Sequence, residues 1–103
     1  MRHRIFAILA VLLLLSACDS IDSMKEGFAH SQAVSASLEK TTGLKSVVGF
    51  NWNNGSLTSV SVNFDGLPEK VSLQEVAAES KKAVLSEFKQ KPETIVISFS
   101  LAP

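Results

Sequence analysis

An uninterrupted apolar run near the start limits the part of this chain that can fold as a domain. Residues 5–15 are all apolar, and Arg2 and Arg4 precede them. A charged start followed by an apolar stretch of this length is typical of an export signal, which is removed from the mature protein. The run is too short for a comfortable transmembrane helix, which needs about 20 apolar residues. Loss of residues 1–17 from the 103-residue chain leaves one small domain.

The segment Leu15-Ser16-Ala17-Cys18 closes the apolar run and contains the only cysteine of the sequence. It resembles the lipobox of bacterial lipoprotein precursors. The resemblance implies that Cys18 becomes the first mature residue and carries acyl chains, which anchor the protein on the extracytoplasmic side of a membrane. An ordinary secretory signal cut after Ala17 is the alternative. Lipidation also accounts for a lone cysteine, which would otherwise be open to oxidation in an exported protein.

Asp19 directly follows the cysteine. An aspartate there resembles the signal that retains enterobacterial lipoproteins in the inner membrane, and the outer membrane is the alternative location. Residues 18–22 form the lipidated start and a short tether, at roughly 3.5 Å per residue. The folded domain, residues 23–103, is therefore expected close to the bilayer.

The remaining composition indicates neither a reaction nor a nucleic-acid partner. Two of the ten basic residues leave with the signal while all ten acidic residues stay, so the mature chain is slightly acidic. A nucleic-acid-binding domain is usually basic. His30 has no second histidine at the spacing of a metal site, and no serine lies in a nucleophile motif. We expect no enzyme activity, no metal and no cofactor.

Two helices are predicted from capping boxes, in which a serine and a glutamate three residues later satisfy free amide groups. Ser23 and Glu26 start a helix that runs to about Thr41, with Gly43 as its stop. Ser72-Leu73-Gln74-Glu75 starts a second helix that ends near Gln90. The residues expected to face inward are Met24, Phe28, Val34 and Leu38 on the first helix, and Leu73, Val76, Ala77, Ser80, Val84 and Phe88 on the second.

Three segments alternate between apolar and polar residues, as half-buried strands do. Asn53-Asn54-Gly55 separates the first two, and Asn-Gly favours a tight hairpin turn. The residues expected on the apolar face are Val48, Phe50 and Trp52 on the first strand, Thr58, Val60, Val62 and Phe64 on the second, and Ile95, Ile97, Phe99 and Leu101 on the third.

The order α-β-β-α-β predicts an α+β, two-layer sandwich with two helices on one face of a three-stranded antiparallel sheet. A crossover through the second helix makes the third strand parallel to the second. We expect the third strand to pair antiparallel with the first, so that the spatial order is 2-1-3. This arrangement is similar to a split βαβ unit, half of a ferredoxin-like fold, and it implies no function.

The polar face of the sheet and the free edge of the third strand are the candidate interaction sites. The residues expected there are Asn51, Ser59, Ser61, Asn63, Thr94, Val96, Ser98 and Ser100. Plain solvent exposure is the simpler explanation of a polar face. However, residues 95–101 contain no charge to discourage pairing with another strand. We therefore hypothesise that this edge pairs with a second copy or with an envelope protein.

Two functions follow as expectations. The preferred one is a non-enzymatic accessory or adaptor lipoprotein that docks a partner near the membrane. The alternative is a binding module for a small envelope ligand, such as a cell-wall fragment. A deep pocket between the helices and the sheet would favour the ligand module, whereas a flat surface with a long exposed edge would favour the adaptor.

Overall fold

A computed structural model describes residues 24–103. Along the chain it contains helix α1 (residues 24–42), strands β1 (Ser46–Asn53) and β2 (Ser56–Asp65), helix α2 (Leu73–Glu87) and strand β3 (Thr94–Ser100). The predicted α+β class and the order α-β-β-α-β are confirmed. The expected signal segment, the tether, Cys18 and Asp19 lie outside the described residues.

Helix α1 packs on the sheet through small and aliphatic side chains. Val34 and Leu38 are fully buried, and Ser31 is buried one turn earlier. After the helix, Gly43 has a positive φ of 77°, and its N–H donates to the Glu39 carbonyl at 3.0 Å. Glycine adopts this left-handed conformation without a steric penalty, which explains why α1 stops where the sequence predicts.

The start of α1 differs from the prediction, because Met24 and Phe28 are 60% and 59% exposed. Gly27 is the buried residue of this first turn. It faces the ring of Phe50 on β1, which fills the space that a side chain at Gly27 would need. The helix therefore approaches the sheet through a glycine, and its large apolar neighbours lie outside the contact.

Strands β1 and β2 form the predicted antiparallel hairpin. Asn54 and Gly55 connect them with positive φ values of 53° and 79°. Two successive positive φ angles are the geometry of a type I′ turn, whose twist matches that of the paired strands. The Asn-Gly pair thus sets the register of the hairpin.

A bulge in the hairpin moves one core position. Asn51 lies opposite Ser59, but Trp52 lies opposite Leu57, so that Thr58 is an extra residue in β2. As a result Leu57 is only 2% exposed and Thr58 is half-buried, the reverse of the predicted alternation. Trp52 shares the side of Leu57 but remains 43% exposed, so its predicted core position is wrong.

Helix α2 begins at the predicted cap. The Ser72 hydroxyl accepts a hydrogen bond from the Glu75 N–H at 3.1 Å. The helix ends at Glu87, three residues before the predicted end, and the Phe88 backbone is extended while its N–H still donates to the Val84 carbonyl.

The buried side of α2 is narrower than predicted. Leu73 and Ala77, which are predicted to face inward, are exposed: Leu73 precedes the first buried residue, Val76, and Ala77 lies beside the buried side of the helix. The buried residues of the helix are Val76, Ser80, Ala83 and Val84, and Phe88 is buried directly after it.

The strand order is β1-β2-β3, so β2 rather than β1 is central. Strand β3 runs parallel to β2, as predicted, but it pairs with β2 directly. The sheet is therefore mixed, not wholly antiparallel, and β2-α2-β3 is a simple βαβ unit, not a split one. The physical reason is that β2, α2 and β3 follow one another along the chain, and consecutive elements usually lie side by side, so the crossover places β3 directly next to β2.

Both helices cover the same face of the sheet, as predicted. Side chains from α1, α2 and all three strands meet there in one cluster. Strand β2 supplies the fully buried centre of this cluster, which consists of Leu57, Val60, Val62 and Phe64. Phe64 and Phe99 stack across the parallel pair with ring centroids 5.6 Å apart. The opposite face of the sheet carries neither helix.

Candidate functional site

The uncovered side of the sheet, called the outer sheet face below, brings the predicted interaction residues together. Its three strands align in rows, of which one joins Gly49, Ser61 and Val96. Small side chains dominate, and among the strand residues on this face only Asp65, opposite Ser100 at the end of β2, is charged. The residues of this face are Val47, Gly49, Asn51, Ser59, Ser61, Asn63, Asp65, Thr94, Val96, Ser98 and Ser100. Most of these side chains are short.

Hydrogen bonds between strands use much of the polar chemistry of this face. The Asn63 amide nitrogen donates to Ser98 Oγ at 2.8 Å, and the Ser100 hydroxyl donates to Asn63 Oδ1 at 2.9 Å. Between β1 and β2, on the same face, Asn51 Nδ2 donates to Ser59 Oγ at 2.9 Å. The two asparagines therefore hold neighbouring strands together, and this reduces the number of groups that remain free to bind a ligand.

Two strand edges border the outer sheet face. Strand β3 pairs only with β2, which leaves the predicted edge open, and the strand order makes β1 the second edge. Neither strand contains a charged residue. Val96 on β3 is 48% exposed, and Val47 on β1 is more exposed still. The sequence did not reveal the β1 edge, because the strand order was not readable from local patterns.

A groove of about 480 Å³ opens on the opposite side, where the start of α1, the hairpin turn and the end of α2 meet. Met24, Trp52 and Phe88 line it with apolar surface. Lys89 and Glu26 form an exposed ion pair at 3.1 Å beside it. Sequence reasoning missed this groove because its walls come from three segments that are far apart in the chain.

Gln90 shapes the groove by tying the segment after α2 to the hairpin. Its Oε1 accepts a hydrogen bond from the Leu57 N–H at 3.0 Å, and its Nε2 donates to the Gly55 carbonyl at 3.2 Å. The glutamine thus takes the place of a strand partner at the start of β2. No local sequence signal distinguishes this residue from an ordinary surface glutamine.

His30 also lines the groove. Its ring lies against Phe88, with centroids 5.6 Å apart. Its Nε2 is buried and has no hydrogen-bond partner within residues 24–103. Buried polar atoms usually have partners, so this nitrogen is the least satisfied polar group of the groove.

Among residues 24–103, no three histidine, cysteine or acidic side chains lie close enough together to hold a metal ion. No helix within the same residues is long and apolar enough to cross a membrane.

Comparison of the chain with protein-family models, curated proteins and solved structures finds no match.

Proposed function

We propose that this chain is a small bacterial envelope lipoprotein, anchored through acyl chains on Cys18, whose domain is a non-enzymatic adaptor for a partner protein. The main support is the free, uncharged edge strand β3 beside a sheet face of mostly small polar side chains. The anchor is supported by the lipobox-like segment 15–18 and the apolar run before it.

The edge of β3 supports docking because natural proteins usually protect such edges with charges, prolines or bulges. Thr94–Ser100 contains neither a charge nor a proline, and its pairing with β2 is regular over the whole strand. An extended segment of a partner, or β3 of a second copy, can add to this edge through backbone hydrogen bonds.

The outer sheet face adds contact area next to that edge. Three strands spaced by about 4.8 Å and seven residues long cover roughly 15 by 23 Å, or about 350 Å². A stable interface buries about 800 Å² on each partner. The face alone is therefore too small, and a partner that binds it also has to extend over the β3 edge.

The tether defines where the partner lies. Cys18 lies six positions before Met24, a distance of at most about 21 Å in extended chain. The partner is a protein at the membrane surface, on the inner membrane if Asp19 acts as a retention signal and on the outer membrane otherwise.

Site-specific photo-cross-linking in intact cells tests this function. A cross-linker at Val96 is expected to capture one defined protein or a second copy, whereas one at Ala77, on the exposed side of α2, is expected to capture neither. Ser98→Lys should abolish the Val96 product, and Cys18→Ser should abolish both lipidation and the product. Equal capture from both positions, or none from Val96, would contradict the adaptor.

The groove favours a second candidate, a module that binds a small envelope ligand such as a cell-wall fragment. Its apolar walls, the ion pair beside it and the unsatisfied His30 Nε2 suit a ligand with both apolar and polar parts. Trp52 is the only tryptophan of the chain and lines the groove. Saturable quenching of its fluorescence by soluble cell-wall fragments would support this candidate, and an unchanged spectrum would argue against it.

A further inference from the structure

One end of the domain, called the proximal pole, exposes several large apolar side chains. Met24 and Phe28 on α1 and Trp52 beside the hairpin turn are all substantially exposed. Met24 and Trp52 line the same groove, and Phe28 lies one turn further along α1, edge-on to Phe50. Clustered exposed apolar side chains on a small domain mark a contact surface.

The proximal pole is also the end at which the described chain begins. Residue 24 lies beside the hairpin turn, where β2 starts. The far end of the domain is defined by Gly66, whose N–H donates to the Ser100 carbonyl at 2.9 Å, where β2 and β3 end. An anchor at Cys18, at most about 21 Å from residue 24, therefore presents the proximal pole to the bilayer.

Charges around this pole balance. In the two segments that contribute to the groove, residues 24–30 and 87–93, three lysines (Lys25, Lys89 and Lys91) are matched in number by three glutamates (Glu26, Glu87 and Glu93). Lys89 is paired directly with Glu26. Attraction to anionic lipids therefore contributes little, and the apolar side chains have to supply the contact.

We propose that the proximal pole rests in the bilayer interface, with Met24, Phe28 and Trp52 among the lipid headgroups. This inference rests on the proposed lipid anchor. Tryptophan favours the membrane interface because its ring is apolar and its indole N–H can still donate a hydrogen bond. Three side chains bind a membrane weakly by themselves, but a short tether raises their effective concentration at the surface, so that weak contacts suffice.

Fluorescence of Trp52 in the full-length, lipidated protein tests the proposal. The protein is reconstituted in phosphatidylethanolamine vesicles with a small fraction of phosphatidylglycerol, made with or without brominated acyl chains. Brominated lipid should cause a loss of Trp52 emission that does not depend on the phosphatidylglycerol fraction. As a control, Trp52→Phe with Leu67→Trp moves the probe to the exposed segment after β2 at the far end, and its emission should not change.

A matched pair of variants locates the contact. Met24→Ser with Phe28→Ser should reduce the loss of Trp52 emission, whereas Leu67→Ser with Leu73→Ser, which removes two similarly exposed apolar side chains elsewhere, should not. Equal quenching of the two tryptophan positions, or none at Trp52, in vesicle-bound lipidated protein would overturn the proposal while the anchor stood. A mass spectrum without acyl chains on Cys18 would overturn the anchor, and the proposal with it.

Discussion

Phe50 holds its ring against the backbone of Gly27, so that a Cβ placed on Gly27 would lie 2.5 Å from Phe50 Cζ. Phe28 and Phe88 flank that ring, with centroids 5.8 and 6.0 Å from it. The ring therefore has little room to move aside. The closest approach of α1 to the sheet depends on the absence of a side chain at one position.

Gly27→Ala should lower the free energy of unfolding by about 1 kcal/mol. Overpacking typically costs about 1–3 kcal/mol, which exceeds the roughly 1 kcal/mol that alanine gains over glycine in a helix. Urea denaturation measures the change. In a Phe50→Leu background the same substitution should be neutral or stabilising, because the ring is gone. Stabilisation by Gly27→Ala in the wild-type background would show that the two residues do not touch.

The bulge in β2 predicts unequal effects at two adjacent residues. Leu57→Ala should destabilise the domain by about 3 kcal/mol, within the usual range for a buried leucine. Thr58→Ala should cost less than about 1 kcal/mol, because its hydroxyl makes only an exposed hydrogen bond to the Asn51 carbonyl. Thermal denaturation of both variants checks this. A regular alternation without the bulge would give the reverse order.

Asn63 should contribute to stability through both ends of its amide. Asn63→Ala removes the bonds to Ser98 and Ser100 and should cost about 1 kcal/mol, near the low end for two bonds because both are exposed. Asn51→Ala is the matched control, since it removes one side-chain bond to Ser59 and should cost about half as much. Equal costs in urea denaturation would mean that Asn63 does not link β2 to β3.

Ser80→Ala should stabilise the domain by about 1 kcal/mol. Ser80 is fully buried in α2, and its hydroxyl has no hydrogen-bond partner within residues 24–103. Removing an unsatisfied buried hydroxyl relieves a desolvation cost, and alanine also has the higher helix propensity. A rise in the midpoint of thermal unfolding is the expected measurement. A fall would indicate that a bound water satisfies the hydroxyl.

The hairpin turn and the helix cap could be predicted from the sequence, because each depends only on residues close together in the chain. Asn54-Gly55 specifies its own turn through two positive φ angles, and Ser72 caps α2 with a hydrogen bond to a residue three positions away. The strand order was not readable, since β3 can pair with either strand of the hairpin without changing its own pattern. The sequence therefore predicted the elements correctly, but not which strand is central.

The outer sheet face could be predicted from the sequence, whereas the groove could not. Alternation alone placed Asn63 and Ser98 on one face, because strand periodicity is local. The groove depends on Gln90 reaching the hairpin and on Trp52 lying past the bulge, and both are tertiary effects. The helical pattern also places Met24 in the core, because that pattern does not show where the sheet under the helix ends.

The opposite placement of the two ends of the fold limits how the chain can be rearranged. Residue 24 lies where β2 starts and Ser100 lies where β2 ends, and the ten residues of that strand span about 33 Å. A circular permutant that joins these ends needs a linker of about ten extended residues, and a shorter one would pull β3 from the sheet. A reporter fused after Pro103, in contrast, would lie at the far end, clear of both the groove and the start of α1.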